Sequence, residues 1–72
     1  MNLELFIQQL SGELNCEESL LTPETKLTDV PGWSSLLLLS ILLMIEEEYD
    51  LKLLPQDIQN NTIYDIYSLI TQ

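Results

Sequence analysis

Pro31-Gly32-Trp33-Ser34-Ser35-Leu36, with the apolar run that follows it to Ile45, decides how the chain is read. Pro-Gly breaks the chain and marks a turn. A serine before an apolar run reads as a helix N-cap, because its side-chain oxygen can accept a bond from an unpaired first-turn amide. With Ser34 as the cap, Ser35 falls at the first helical position, its hydroxyl pointing outward beside free backbone N–H groups. A helix N-terminus favours negative charge through those groups and through the dipole. Ser35 is therefore placed to carry a phosphate group.

Outward from that stretch, the pattern is helical on both sides. Residues 35–50 are expected as the central helix, with Leu38, Ile41, Leu42, Ile45 and Tyr49 in one stripe. Leu36, Leu37, Leu39 and Leu43 cover much of the other side, and only Glu46, Glu47 and Glu48 make it polar. A helix apolar all round asks for burial on most sides. About three other helices are available to supply it, so some of these leucines are expected to be exposed. Residues 3–14 form an amphipathic helix on Leu3, Phe6, Ile7, Leu10 and Leu14, with Glu4, Gln8, Gln9 and Glu13 outward. Residues 15–34 form a long connection, unusual in a small domain unless functional. Leu20, Leu21, Leu27, Val30 and Trp33 are expected to pin it over the core. Pro55 opens a short helical turn. Thr62-Ile63-Tyr64-Asp65 resembles a capping box, and Ile63, Ile66, Tyr67 and Ile70 form the inner face of a last helix. Tyr64 and Tyr67 are expected to pack. No segment alternates as a strand would. The expectation is one all-α domain over residues 1–72, with three main helices and one short one.

Composition narrows the function. Twelve acidic residues face two lysines, a net charge of −10. Nucleic-acid binding needs a basic face and is excluded. Docking on anionic lipid is disfavoured, whereas partners with basic surfaces are attracted at long range. A hydrophobic content of 46% in periodic blocks opposes disorder. The single cysteine, Cys16, and the lack of histidine leave neither a metal-ligand set nor an internal disulfide. A lone cysteine suits a reducing compartment. The longest apolar run is about half a membrane span, and no secretory leader is evident. A soluble cytoplasmic protein is expected. Glu46 to Glu48 read as a solvated helix face, since no other groups nearby would form a catalytic cleft with them.

The order of these pieces resembles the acyl carrier protein family over nearly the whole chain. That family shows Asp-Ser-Leu at the start of its second helix, an apolar stripe, and a Glu-Glu-x-aromatic segment about a dozen residues on. Here Ser34-Ser35-Leu36 is followed by Glu46-Glu47-Glu48-Tyr49-Asp50. Thr22-Pro23-Glu24-Thr25-Lys26-Leu27-Thr28-Asp29 is similar to the family's approach to its serine. Thr62-Ile63-Tyr64-Asp65 is similar to the start of its fourth helix. Counting back from Tyr49 puts Ser35, not Ser34, on the modified serine. The resemblance implies an antiparallel bundle of three main helices and one short one. It implies that a phosphopantetheinyl transferase attaches 4′-phosphopantetheine from coenzyme A to Ser35. The arm's thiol would then hold acyl or aminoacyl groups for fatty-acid, polyketide or related synthase and acyl-transferring enzymes. Partner enzymes supply the chemistry, so the carrier is not itself an enzyme and no catalytic residue is expected. A monomer is expected.

Three departures from the family bear on partners. The usual Asp is Ser34, which caps without bringing charge, and one extra residue within Pro31-Gly32-Trp33 lengthens the turn. The outward positions after the serine, often acidic in the family, are Leu37 and Ser40. The expected docking surface is therefore Leu36, Leu37, Leu39, Ser40 and Leu43, with the ionic handle reduced to Glu46 and Glu47. Leu36 also flanks the attachment site. Trp33 reads either as a loop anchor on the core or as part of the docking surface or the arm's cradle. The leucines read either as partly exposed docking surface or as buried by tight packing or self-association. A dedicated carrier with its own cognate enzymes follows from these departures. The alternatives are a carrier-like adaptor, never modified, that binds a partner through the leucine face, and a small self-associating helical protein.

Overall fold

A computed structural model describes residues 2–72. Four α-helices follow one another: α1 Leu3–Leu14, α2 Ser35–Tyr49, α3 Pro55–Gln59 and α4 Ile63–Ile70. Among the described residues no strand forms, and the expected three long helices and one short one are present. The fold is the helical bundle of the acyl-carrier type. Each helix begins where local chemistry supplies a cap. Asn2 Oδ1 accepts the Leu5 amide at 2.7 Å, and Thr62 and Asp65 bond reciprocally at 3.2 and 3.4 Å. Asp57 accepts the Leu54 amide at 2.8 Å to open α3 behind Pro55. Asn15 and Asp50 end α1 and α2 in the left-handed region, with φ 54° and 53°. Asp50 is thus the residue after α2 rather than its last member, one residue short of the sequence expectation.

Every helix sends apolar side chains inward. Phe6 and Leu10, Ile41 and Ile45, Ile58, and Ile63 and Ile66 are fully buried. Leu27 joins them from the long connection, with Leu21 and Val30 nearly as deep. α1 packs on α2 and α4, and α2 on α3. The Phe6 ring meets Tyr49 edge-on at 6.0 Å and Tyr67 at 6.1 Å, a geometry that aromatic quadrupoles favour. The Tyr49 hydroxyl donates to Gln9 Oε1, tying α2 to α1. The core holds no polar or charged residue among those described.

The long connection is pinned as expected, with one exception. Two short 3₁₀ turns, Glu18–Leu20 and Leu27–Asp29, shape it. Leu21, Leu27 and Val30 anchor it, but Leu20 is exposed. Its middle is tied to the start of α4. Pro23 O accepts the Tyr64 amide and Thr25 O the Ile63 amide, both at 2.9 Å. Lys26 and Thr62 form an isolated antiparallel bridge. These bonds satisfy first-turn amides of α4 that would otherwise be orphaned. They also correct the expectation for Tyr64: its side chain is 54% exposed rather than packed, because Ile63 and Ile66 take the inward positions. Tyr67 is half-buried against Phe6, as expected.

Candidate functional site

The approach to α2 is a tight turn. Val30 is buried, and its carbonyl accepts the Trp33 amide at 3.1 Å. Pro31 and Gly32 lie between them, and Gly32 has φ +82°. Proline second and a positive-φ residue third define a type II turn. Gly32 is required here by its backbone, not by crowding, since an added Cβ would meet nothing within 4 Å. Trp33 leaves the turn half-buried and packed against the core. Ser34 is the cap, in extended backbone, and its Oγ accepts the Leu37 amide. At 3.4 Å that bond is long.

Ser35 is the first residue of α2 and is exposed. Among the described residues, neither its hydroxyl nor the amides of Ser35 and Leu36 find a partner. The contrast with α4 is physical. There, loop carbonyls and a threonine occupy the first three amides; at α2 the first two stay open to solvent. No acidic side chain lies in the first turn of α2. An anion on Ser35 Oγ therefore meets two free donors and the positive end of the helix dipole, with no like charge close in sequence. The residues fit a phosphodiester. The uncharged cap, Ser34 in place of Asp, contributes to that fit.

The outer face of α2 matches its sequence reading in most positions. Leu36 is 73% exposed, and Leu39 and Leu43 are 57% exposed. Spaced three and seven residues from Leu36, they lie on one side of the helix. Ser40 is half-buried beside them. Leu37 is also half-buried and packs against the core, so it presents less surface than the others. Met44 is buried next to Leu38, Ile41 and Ile45, a fourth inward position that the sequence stripe omitted. Glu47 is exposed, whereas Glu46 is half-buried and faces Lys52 at 3.7 Å. That exposed pair contributes little to stability. From Val30 to Ile45 the chain carries no ionisable side chain.

Sequence reasoning did not single out two other exposed apolar residues, Leu5 and Leu54. Their helical neighbours read as ordinary amphipathic pattern, and only packing shows which member faces out. An open cleft of about 590 Å³, lined by Leu3, Pro23, Glu24, Thr62, Tyr64 and Asp65, lies at the starts of α1 and α4. No residue of the Ser35 region lines it. Burial and neighbouring Glu17 push the half-buried Cys16 thiol above its ordinary range, which disfavours a thiolate nucleophile. No helix of the described residues is long and apolar enough to cross a membrane, and no group of three metal-ligating side chains occurs among them.

The family model described as phosphopantetheine attachment site matches residues 4–70. No curated protein and no solved structure matches the chain significantly. The match covers α1 through α4, including the open start of α2. The chain belongs to the phosphopantetheine-attachment family, the acyl-carrier type of domain on which 4′-phosphopantetheine is covalently held.

Proposed function

We propose that Ser35 is the attachment residue and that residues 1–72 act as one carrier domain for acyl or aminoacyl thioesters. The observation that carries this is the exposed Ser35 hydroxyl beside two amides without a partner among the described residues, at the start of α2, in a chain that matches the attachment family from residue 4 to 70. In loading, Ser35 Oγ forms a bond to phosphorus and one P–O bond of the coenzyme A pyrophosphate breaks. The bisphosphorylated adenosine leaves, and the hydroxyl proton passes to a base of the transferase. When bound, the arm supplies a terminal thiol that carries cargo as a thioester. This chain's own residues hold and present the arm: Ser34 caps the helix, the α2 amides face the phosphodiester, and Trp33 and Leu36 flank it. Catalysis belongs to the partners, a phosphopantetheinyl transferase and then acyl-transferring or synthase enzymes of fatty-acid, polyketide or related biosynthesis. A monomer in the cytoplasm fits this role.

Docking is assigned to the outer face of α2. Leu36, Leu39 and Leu43 offer an apolar stripe, with Leu37 and Ser40 at its side and Glu46 and Glu47 at its far end. An exposed apolar patch rimmed by polar residues marks an interaction site. Partners that read this stripe are cognate to it, which favours a dedicated carrier.

The test is loading with acetyl-coenzyme A and a broad-specificity phosphopantetheinyl transferase, followed by neutral hydroxylamine. A carrier gains the acetylated arm and loses only the acetyl group to hydroxylamine. The exposed leucine stripe also favours a second reading, an unmodified adaptor that binds a partner through α2. That reading stands if neither the broad enzyme nor a cognate transferase loads the protein and protein from its native cell is unmodified.

A further inference from the structure

The turn before Ser35 does more than reverse the chain. In a hydrophobic staple, the residue before the N-cap packs with the fourth residue of the helix and fixes the angle at which the chain enters it. With Ser34 as the cap, those two positions are Trp33 and Leu38. Leu38 is buried, and Trp33 packs half-buried against the same core. The cap itself is weak, with its serine bond stretched to 3.4 Å and no charge to strengthen it. Upstream, Trp33 is held by the Val30 carbonyl at 3.1 Å and by the Gly32 turn. The indole is therefore an apolar anchor at the entry of α2, while the Ser35 hydroxyl has no hydrogen-bond partner among the described residues to orient it.

We propose that Trp33 is the positioning residue for Ser35. Stapled to the core, it sets the entry of α2 and so the aim of the Ser35 hydroxyl and the two open amides toward an incoming phosphoryl group. This rests on Ser35 being the attachment site. Misplacing a reacting group by about an ångström slows a transfer on the order of a hundredfold, so loosening the staple slows chemistry more than binding.

Three variants separate the possibilities: Trp33→Ala, Trp33→Phe and Gly32→Ala. Gly32→Ala leaves the indole and the α2 surface unchanged and strains only the turn. Loading kinetics with coenzyme A and the broad-specificity transferase give kcat and KM, and amide hydrogen exchange at Leu37 and Leu38 reports the frame directly. The expected result is a kcat lowered roughly tenfold or more in Trp33→Ala and Gly32→Ala, with KM changed little and faster exchange at both amides. Trp33→Phe restores most of kcat. If Trp33→Ala raises KM alone, the indole is only a contact for the transferase and the proposal is wrong. Unchanged kcat in Gly32→Ala, or unaltered exchange in Trp33→Ala, also overturns it. If the wild-type chain is not loaded, the assignment of Ser35 falls, and this role for Trp33 falls with it.

Discussion

The chemistry of single residues explains why one serine differs from its neighbour. Ser34 spends its oxygen on the helix, whereas Ser35 has no partner and faces outward. Ser34→Ala therefore removes a cap but leaves the proposed attachment residue in place. Its cost is expected near the low end of the usual capping range, about 0.5–1 kcal/mol, because the bond it loses is long. Urea unfolding measures that cost, and loading is expected to persist. Two further residues make stability fall as pH rises. Burial first, and then Glu17, raises the Cys16 thiol above its ordinary value. Burial first, and then Glu48, raises the Tyr49 phenol, against an opposing contribution from the Gln9 bond. Both groups hold their protons more tightly folded than unfolded. Their contribution to stability is thus complete below the ordinary thiol and phenol values, about 8.5 and 10, and is lost as pH rises through the higher folded values. Thermal melts from pH 7 to 11 should show Tm falling above about pH 8.5, with the later part of the fall reduced in Tyr49→Phe. A flat profile across that range contradicts the assignment.

At the scale of elements, α2 and α4 start differently. α4 is closed by Pro23 O, Thr25 O and the Thr62–Asp65 pair. Thr62→Ala should cost about 1 kcal/mol or more, and Thr62→Ser much less, in the same unfolding experiment. Equal losses would show that the hydroxyl is not the reason. Ile41→Ala, at the buried centre of α2, should cost about 2–5 kcal/mol and rank above any exposed leucine of that helix. Leu39→Asp should change stability little yet weaken transfer to a cognate enzyme. Unchanged transfer with every partner would remove the docking role of that face. The helices, the Ser34 and Thr62 caps and the inward faces of α1 and α4 were legible in the sequence, because periodicity and capping are local; the Asn2 cap was not singled out. The Pro31-Gly32 turn and Ser35 at the head of α2 were legible for the same reason. The unevenness of the leucine run was not: Leu36 and Leu37 are chemically alike, and only tertiary packing turns one out and half-buries the other. Tyr64 was misjudged because an aromatic ring on a helix reads as a packing residue, whereas Ile63 and Ile66 take the inward positions of α4 and leave it outside. The ion pair of Glu46 with Lys52 joins two side chains across the end of a helix, and no local pattern announces it.

For the whole molecule, charge and core pull in opposite directions. A net charge of −10 on 72 residues repels itself, while the core is wholly apolar and small. Self-repulsion destabilises the compact state and is screened by salt. Raising NaCl from 10 mM to 0.5 M should therefore raise Tm by several degrees, since about 1 kcal/mol moves the midpoint of a chain this size by about 4–8 °C. A fall in Tm would mean that attractive ion pairs dominate instead. The same charge distribution leaves the region from Val30 to Ile45 uncharged within an acidic protein. In the proposed role, partners with basic surfaces are steered at long range by the acidic body and then meet the apolar surface beside Ser35. A carrier needs that combination: it must encounter several enzymes quickly and release each one.

Whether Ser35 bears the arm is decided by intact mass. Wild-type protein, Ser35→Ala and Ser34→Ala are each incubated with coenzyme A and a broad-specificity phosphopantetheinyl transferase. Wild type and Ser34→Ala should each gain one phosphopantetheine, and Ser35→Ala none. A gain that survives in Ser35→Ala and disappears in Ser34→Ala would contradict the assignment to Ser35.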